Sequence, residues 1–156
     1  MMKITIISIG KLKESYWKEA EAEYLKRLSA FAKIDIIEHK EIGFSEKDNT
    51  ESIKEKEAEI ILNSIPESSY IIALDPQGKE TTSEALSKKI SDLEHTTSHL
   101  TFIIGGPLGI HESIFKKTNL KLSLSPLTFT HQMTRVILIE QTYRAYMIKT
   151  GKSYHH

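Results

Sequence analysis

Cysteine is absent from the 156 residues. That excludes disulfides, thiolate metal sites and a cysteine nucleophile. Long apolar runs are missing too. The opening MMKITIISIG is too short for a signal peptide, and charged residues follow it at once. No stretch approaches the roughly 18 apolar residues of a membrane span, so cytoplasmic is the simplest location. No proline- or serine-rich linker, repeat or low-complexity tract divides the chain, which predicts one domain over 1–156. Acid is missing from one long segment: no Asp or Glu stands between Ser113 and Ile139.

What is present fits a globular protein with a sizeable core: 39% hydrophobic and 27% charged residues. Formal net charge is zero, but it is unevenly spread. Residues 113–156 hold seven Lys or Arg and one acid, Glu140, for +6; the first 112 hold 14 basic and 20 acidic residues, for −6. A basic C-terminal third suits a polyanionic partner such as nucleic acid, although an ordinary dipolar surface would read the same way.

The apolar periodicity alternates between strand and helix. Strands are expected at 3–10, 34–39, 69–75, 100–106 and 120–125. Helices are expected at 15–31, from Ser52 to about 65 and from Thr81 through Leu93, the last two opened by the capping boxes Ser52/Glu55 and Thr81/Glu84. HESIFKK (111–117) predicts a short helix, and Thr130 caps a final helix that Gly151 ends near Thr150. Alternation of this kind predicts an α/β fold, a mostly parallel sheet flanked by helices. Ligands of such sheets bind beyond the carboxyl ends of the strands. Three strand ends carry unusual punctuation, Leu74-Asp75-Pro76-Gln77-Gly78, Gly105-Gly106-Pro107-Leu108-Gly109 and Ser125-Pro126-Leu127-Thr128-Phe129-Thr130, and these loops are expected to converge.

The glycine stretch is neither a dinucleotide fingerprint, which needs G-x-G-x-x-G and a later acid, nor a P-loop, which needs Gly-Lys-Ser/Thr. His95 and His99 lie four apart, in HTTSH, which reads as a polar loop and not as a metal site. Loops so rich in backbone and small residues hold a ligand by N–H and C=O groups and apolar contact. The stretch Ser125 to Thr130 suits a flat heterocycle better than a phosphate; tight loop packing without a ligand is the plainer reading.

In order and spacing, LDPQGK, IIGGPLG, LSPLTFTH, HQMTRVILIEQTYRAY and YHH resemble the RlmH (YbeA) family of SPOUT-class methyltransferases of large-subunit ribosomal RNA. The resemblance covers nearly the whole chain and is densest from Tyr70 onward. It implies a SPOUT-type α/β fold with a C-terminal trefoil knot, S-adenosylmethionine as cofactor, and a homodimer with its site near the interface. The implied reaction is methylation of N3 of a pseudouridine in 23S ribosomal RNA, within the assembled ribosome. Cofactor positions carried over are Leu74, Gly106, Ser125, Pro126, Leu127, Thr128, Phe129 and Thr130. No metal is required by an in-line methyl displacement, and none is expected.

The remaining site residues come from the basic C-terminal third. His131 and Arg135, four apart, share a face at the start of the last helix and are expected to contact substrate phosphate or base; surface residues at a helix start would look alike. Arg144 is expected to hold RNA phosphate or to pair across a dimer, with an ion pair to Glu140 as the alternative. The resemblance puts Tyr154, His155 and His156 at the target nucleotide. There Tyr stacks on a base and His moves or orients a proton; a tag remnant is the other reading of His-His. Three rival functions remain at this point: a SPOUT methyltransferase on another RNA such as tRNA, a non-catalytic ribosome-associated binding protein, and an α/β nucleotide-binding module.

Overall fold

The computed structural model describes residues 1–155. Five strands form one sheet: β1 (Met2–Ile9), β2 (Ala32–His39), β3 (Tyr70–Glu80), β4 (His99–Ile104) and β5 (Leu120–Ser123). Their order is β2-β1-β4-β3-β5, and every pairing is parallel. The helices are α1 (Ser15–Leu28), α2 (Thr50–Ser64), α3 (Ser83–Leu93), α4 (Glu112–Phe115) and α5 (His131–Lys149).

Period-two alternation sends each strand's side chains to both faces. On one face Ile4, Ile6, Ile72, Leu100 and Phe102 pack with α3 and α5 residues such as Leu86, Ile90, Leu138 and Tyr146. On the other Ile7, Ile9, Ala73 and Ile103 pack against Ala58 and Ile61 of α2 and Ile114 of α4. Burial on both faces explains why the strands read as continuous apolar runs. No helix among the described residues is long and apolar enough to cross a membrane.

The boundaries differ from expectation in informative places. Helix α2 starts two residues earlier than Ser52, because the Asn49 side chain accepts from the Glu51 and Ser52 N–H groups. At α3 the cap is Thr82, accepting from Ala85 N–H at 3.1 Å, and not Thr81. Strand β3 does not stop at Pro76. Leu74 and Lys79 both lie opposite Leu122, so residues 75–78 loop out as a bulge and pairing then resumes. The final helix starts as expected: Thr130 Oγ1 accepts from Met133 N–H. Gly151, at φ +68°, follows its last turn.

Candidate functional site

The three punctuated loops do converge. With the start of α5 they enclose a cleft of about 930 Å³ at the carboxyl ends of β3, β4 and β5. Its walls are Leu74 to Gln77, Ile104 to Ile110 and Leu124 to His131, all but Pro126 of the last run, with Lys54, Phe115 and Thr134 at the margins. Of the expected cofactor positions, Leu74, Gly106, Ser125, Leu127, Thr128, Phe129 and Thr130 therefore face one space.

Each loop is shaped by its own backbone contacts. In the first, Asp75 Oδ1 accepts from Gln77 N–H at 3.0 Å, and the Pro76 carbonyl accepts from Ser123 Oγ at 3.0 Å. A Cβ at Gly78 would lie 2.8 Å from the Lys121 carbonyl group, so only glycine fits there. In the second, Gly109 N–H donates to Gly106 C=O at 3.0 Å, at φ +85°. A Cβ at Gly106 would meet Ile9 at 3.1 Å and the Glu57 carboxylate at 3.3 Å. In the third, Ser125 Oγ accepts from Leu127 N–H at 3.0 Å, and the Leu127 side chain stands 72% exposed beside the exposed Phe129.

These surfaces fit an adenosyl cofactor. Leu74, Leu127 and Phe129 offer apolar contact to a flat ring, the loops offer backbone groups, and the volume matches a small-molecule site. The only Lys or Arg on the walls is Lys54, which is a poor cradle for a polyphosphate.

His131, expected to contact substrate phosphate or base, lies on the cleft wall. Its ring packs on Gly10, with Nε2 buried and unpartnered. Arg135 does not join it, which corrects the expectation of substrate contact. Arg135 is 4% exposed, held by Glu21 through Nε at 2.5 Å and Nη2 at 2.8 Å and by Glu38 through Nη1 at 2.5 Å. Four residues advance a helix by about 40° beyond a full turn. Here that rotation carries position 135 from the cleft into the seam between α1 and β2.

Arg144, Tyr154 and His155 come together, but away from the cleft. Arg144 pairs with Glu140 at 2.6 Å, the alternative weighed for it, and its Nη1 donates to His155 Nδ1 at 3.0 Å. Since a guanidinium only donates, His155 carries its proton on Nε2, which donates to Glu84 at 2.7 Å. Tyr154 OH donates to Glu140 at 3.0 Å, and its ring packs edge-on against Tyr143 and under the Arg144 guanidinium. Burial, with bonding to Tyr24 and Glu140, pushes the Tyr154 phenol up, so it stays neutral. From His131 to Arg144 the helix rises roughly 20 Å. His156, expected beside them, lies outside the described residues.

Two features went unread in the sequence. Glu57 is buried on α2 between Ile53 and Ile61, one turn away on either side, directly behind Gly106. A charged residue inside an apolar stripe was the available signal. Second, Glu51, Glu55 and His111 bring three ligand atoms within 4.8 Å of one another. His111 Nδ1 accepts from Ser113 N–H at 3.1 Å, which leaves the proton on Nε2, facing Glu51 at 3.0 Å. A protonated nitrogen is no metal ligand, so this group reads as a hydrogen-bonded clasp. Of His95 and His99, the two histidines weighed for metal in the sequence, His99 bonds Thr5 Oγ1 at 2.8 Å.

A parallel α/β sheet with a cleft at its carboxyl edge, lined by loop backbone and by both apolar and polar side chains, is the arrangement in which α/β proteins bind small ligands. The family model described as predicted SPOUT methyltransferase matches residues 2–155, and the chain belongs to that family. Membership makes it a methyltransferase of the class that transfers methyl from S-adenosylmethionine to RNA.

Proposed function

We propose that this protein is a homodimeric methyltransferase acting on N3 of a pseudouridine in 23S ribosomal RNA, with the assembled ribosome as substrate. The observation that carries this reading is the ordered cluster of Arg144, Tyr154 and His155. A stacking aromatic, a guanidinium and an imidazole are the groups that receive a splayed base and its phosphate. Within one chain they lie roughly 20 Å along α5 from the cleft. A second copy closes that distance. Met133, Ile137, Glu140 and Arg144 form a stripe along α5 at steps of four and three residues, all only partly buried. Antiparallel pairing on this stripe, with the two-fold axis beside Ile137, sets Arg144 of one copy level with His131 of the other.

The trefoil path belongs to the same reading. Ser123 on the Pro76 carbonyl, and Gly78 against Lys121, seat the 75–78 excursion on β5, the strand that leads into the third loop.

Bound S-adenosylmethionine supplies a methyl group activated on a sulfonium. The chain contributes alignment and charge. The three loops hold and orient the cofactor, and Leu127 and Phe129 shield the ring from water. Tyr154, kept neutral, stacks on the base or donates a hydrogen bond. Arg144, on turning to a phosphate, frees His155 Nδ1 to accept the N3 proton.

The deciding experiment offers labelled S-adenosylmethionine with ribosomes that lack the modification, and with free ribosomal RNA beside them. Label on pseudouridine in assembled ribosomes is the expected result. No label on either acceptor, with the cofactor still bound, would transfer the reading to another RNA such as tRNA. Cofactor binding lost altogether would favour a non-catalytic binding protein.

A further inference from the structure

Behind the second loop stands a carboxylate that the methyl transfer as described above does not use. Glu57 is 4% exposed. Its neighbours on the stripe, Ile53 and Ile61, are core residues, and a leucine would pack in its place without burying a charge. The backbone N–H of Ile42 faces it closely enough to oppose the effect of burial, and Glu41 adds a second negative charge nearby. Among the described residues no Lys, Arg or His forms an ion pair with it, although Lys54 sits one turn away on the same helix. Burial accordingly pushes its carboxyl up from the usual range. A buried carboxylate with no cation is costly, and its partner is to be sought outside the chain.

The geometry shows where. Gly106 lines the cleft, and a Cβ there would come 3.3 Å and 3.5 Å from the two Glu57 oxygens. Because residue 106 has no side chain, only backbone separates the carboxylate from the cleft. The carboxylate is itself almost out of contact with solvent, so its field on the cleft is screened less than that of a surface charge.

We propose that Glu57 is the counter-charge for a cationic cofactor, selecting the sulfonium of S-adenosylmethionine over the neutral thioether left after transfer. This inference rests on the cofactor reading above. In the reaction the methyl carbon passes to N3, the electrons of the broken S–C bond return to sulfur, and the N3 proton leaves. The positive charge therefore departs from the cofactor. A fixed anion behind Gly106 holds the charged form more tightly than the spent one, so the field that favours loading also favours product release. Glu57 acts across Gly106 without touching the ligand, which makes it a positioning residue.

The test is calorimetric titration of the full chain with S-adenosylmethionine and, separately, S-adenosylhomocysteine. Glu57→Gln keeps the shape and the acceptor for Ile42 N–H but removes the charge. It is expected to weaken S-adenosylmethionine by about tenfold while leaving S-adenosylhomocysteine within about twofold. Glu57→Asp keeps the charge and is expected to keep the preference, which provides a second variant should the glutamine protein melt too low to titrate. Equal weakening of both ligands by Glu57→Gln would reduce Glu57 to a tie for residue 42 and overturn the proposal, as would loss of the preference in Glu57→Asp. Wild-type protein that binds neither ligand would overturn the cofactor reading itself, and this inference with it.

Discussion

Arg135 of α5 and Glu21 of α1 meet in a two-point ion pair, with Nε and Nη2 on the two carboxylate oxygens and Glu38 of β2 closing the third side. A guanidinium buried with two acids is a structural clamp. Removing Arg135 strands the largely buried Glu21, and removing Glu21 leaves the buried guanidinium with only the more exposed Glu38.

Glu21→Ala, which takes away the two-point partner, should lower stability by up to about 3 kcal/mol, and Arg135→Ala by a similar amount, read from denaturant midpoints. If Arg135 carried RNA phosphate, its loss would instead flatten the salt dependence of RNA binding at unchanged stability. Arg135→Met, which fills the space without charge, should recover part of the loss.

The glycines separate space from backbone conformation. Gly78→Ala must push aside the Lys121 carbonyl, 2.8 Å away, and should destabilise by about 1–3 kcal/mol. Gly109→Ala meets open space but keeps φ +85°, so a penalty of about 1–2 kcal/mol is expected from backbone strain alone. Gly43→Ala, with neither problem, serves as the neutral control in thermal melts.

His155→Ala should cut turnover and leave cofactor affinity nearly unchanged, because His155 is not part of the wall that would hold the cofactor. Mixing subunits gives the sharper result. A His155→Ala chain combined with a chain whose cleft is filled by Thr128→Trp, at an exposed wall position, should recover roughly a quarter of wild-type activity. Half the random dimers pair the two types, and each of those has one intact composite site. No recovery would mean that each chain completes its own site.

Glu57 also predicts a pH-dependent stability. Its folded carboxyl is raised above the ordinary 4.5 by burial, with Glu41 adding to the rise and the Ile42 N–H opposing it. The folded state then binds this proton more readily than the unfolded chain does. Stability is lost as pH climbs from 4.5 through the raised value. Glu57→Gln should accordingly stabilise the ligand-free protein at neutral pH, and the gain should vanish below about pH 4.5. Melting curves of both proteins across that range decide it.

Much of this architecture was legible. The alternation of Ile4 and Ile6 with Ile7 and Ile9, and the three loops punctuated by glycine and proline, depend on local patterns that survive in sequence. Asn49 and Thr82 displaced the expected caps by one to three residues, because neighbouring polar residues compete for the same N–H groups. The resumption of β3 at Lys79 could not be read, since the partner that rescues it, Leu122, is over forty residues away. Arg135 was misplaced for a related reason. Helical spacing gives its angle relative to His131, but only the packing of α1 and β2 shows what waits there.

The late position of α5 in the chain has a consequence for biosynthesis. This helix packs against both α1 and α3. Until residues 131–149 have been made, a nascent chain exposes an unfilled trough between those helices, with Glu21 and Glu38 still waiting for their cation. Gly10, formed among the first residues, is likewise left without the imidazole that covers it. The earlier elements can collapse as they emerge, yet the cleft has no wall on its α5 side until that helix arrives. The cleft becomes competent only once α5 has been made and has docked on α1 and α3, in one closing step.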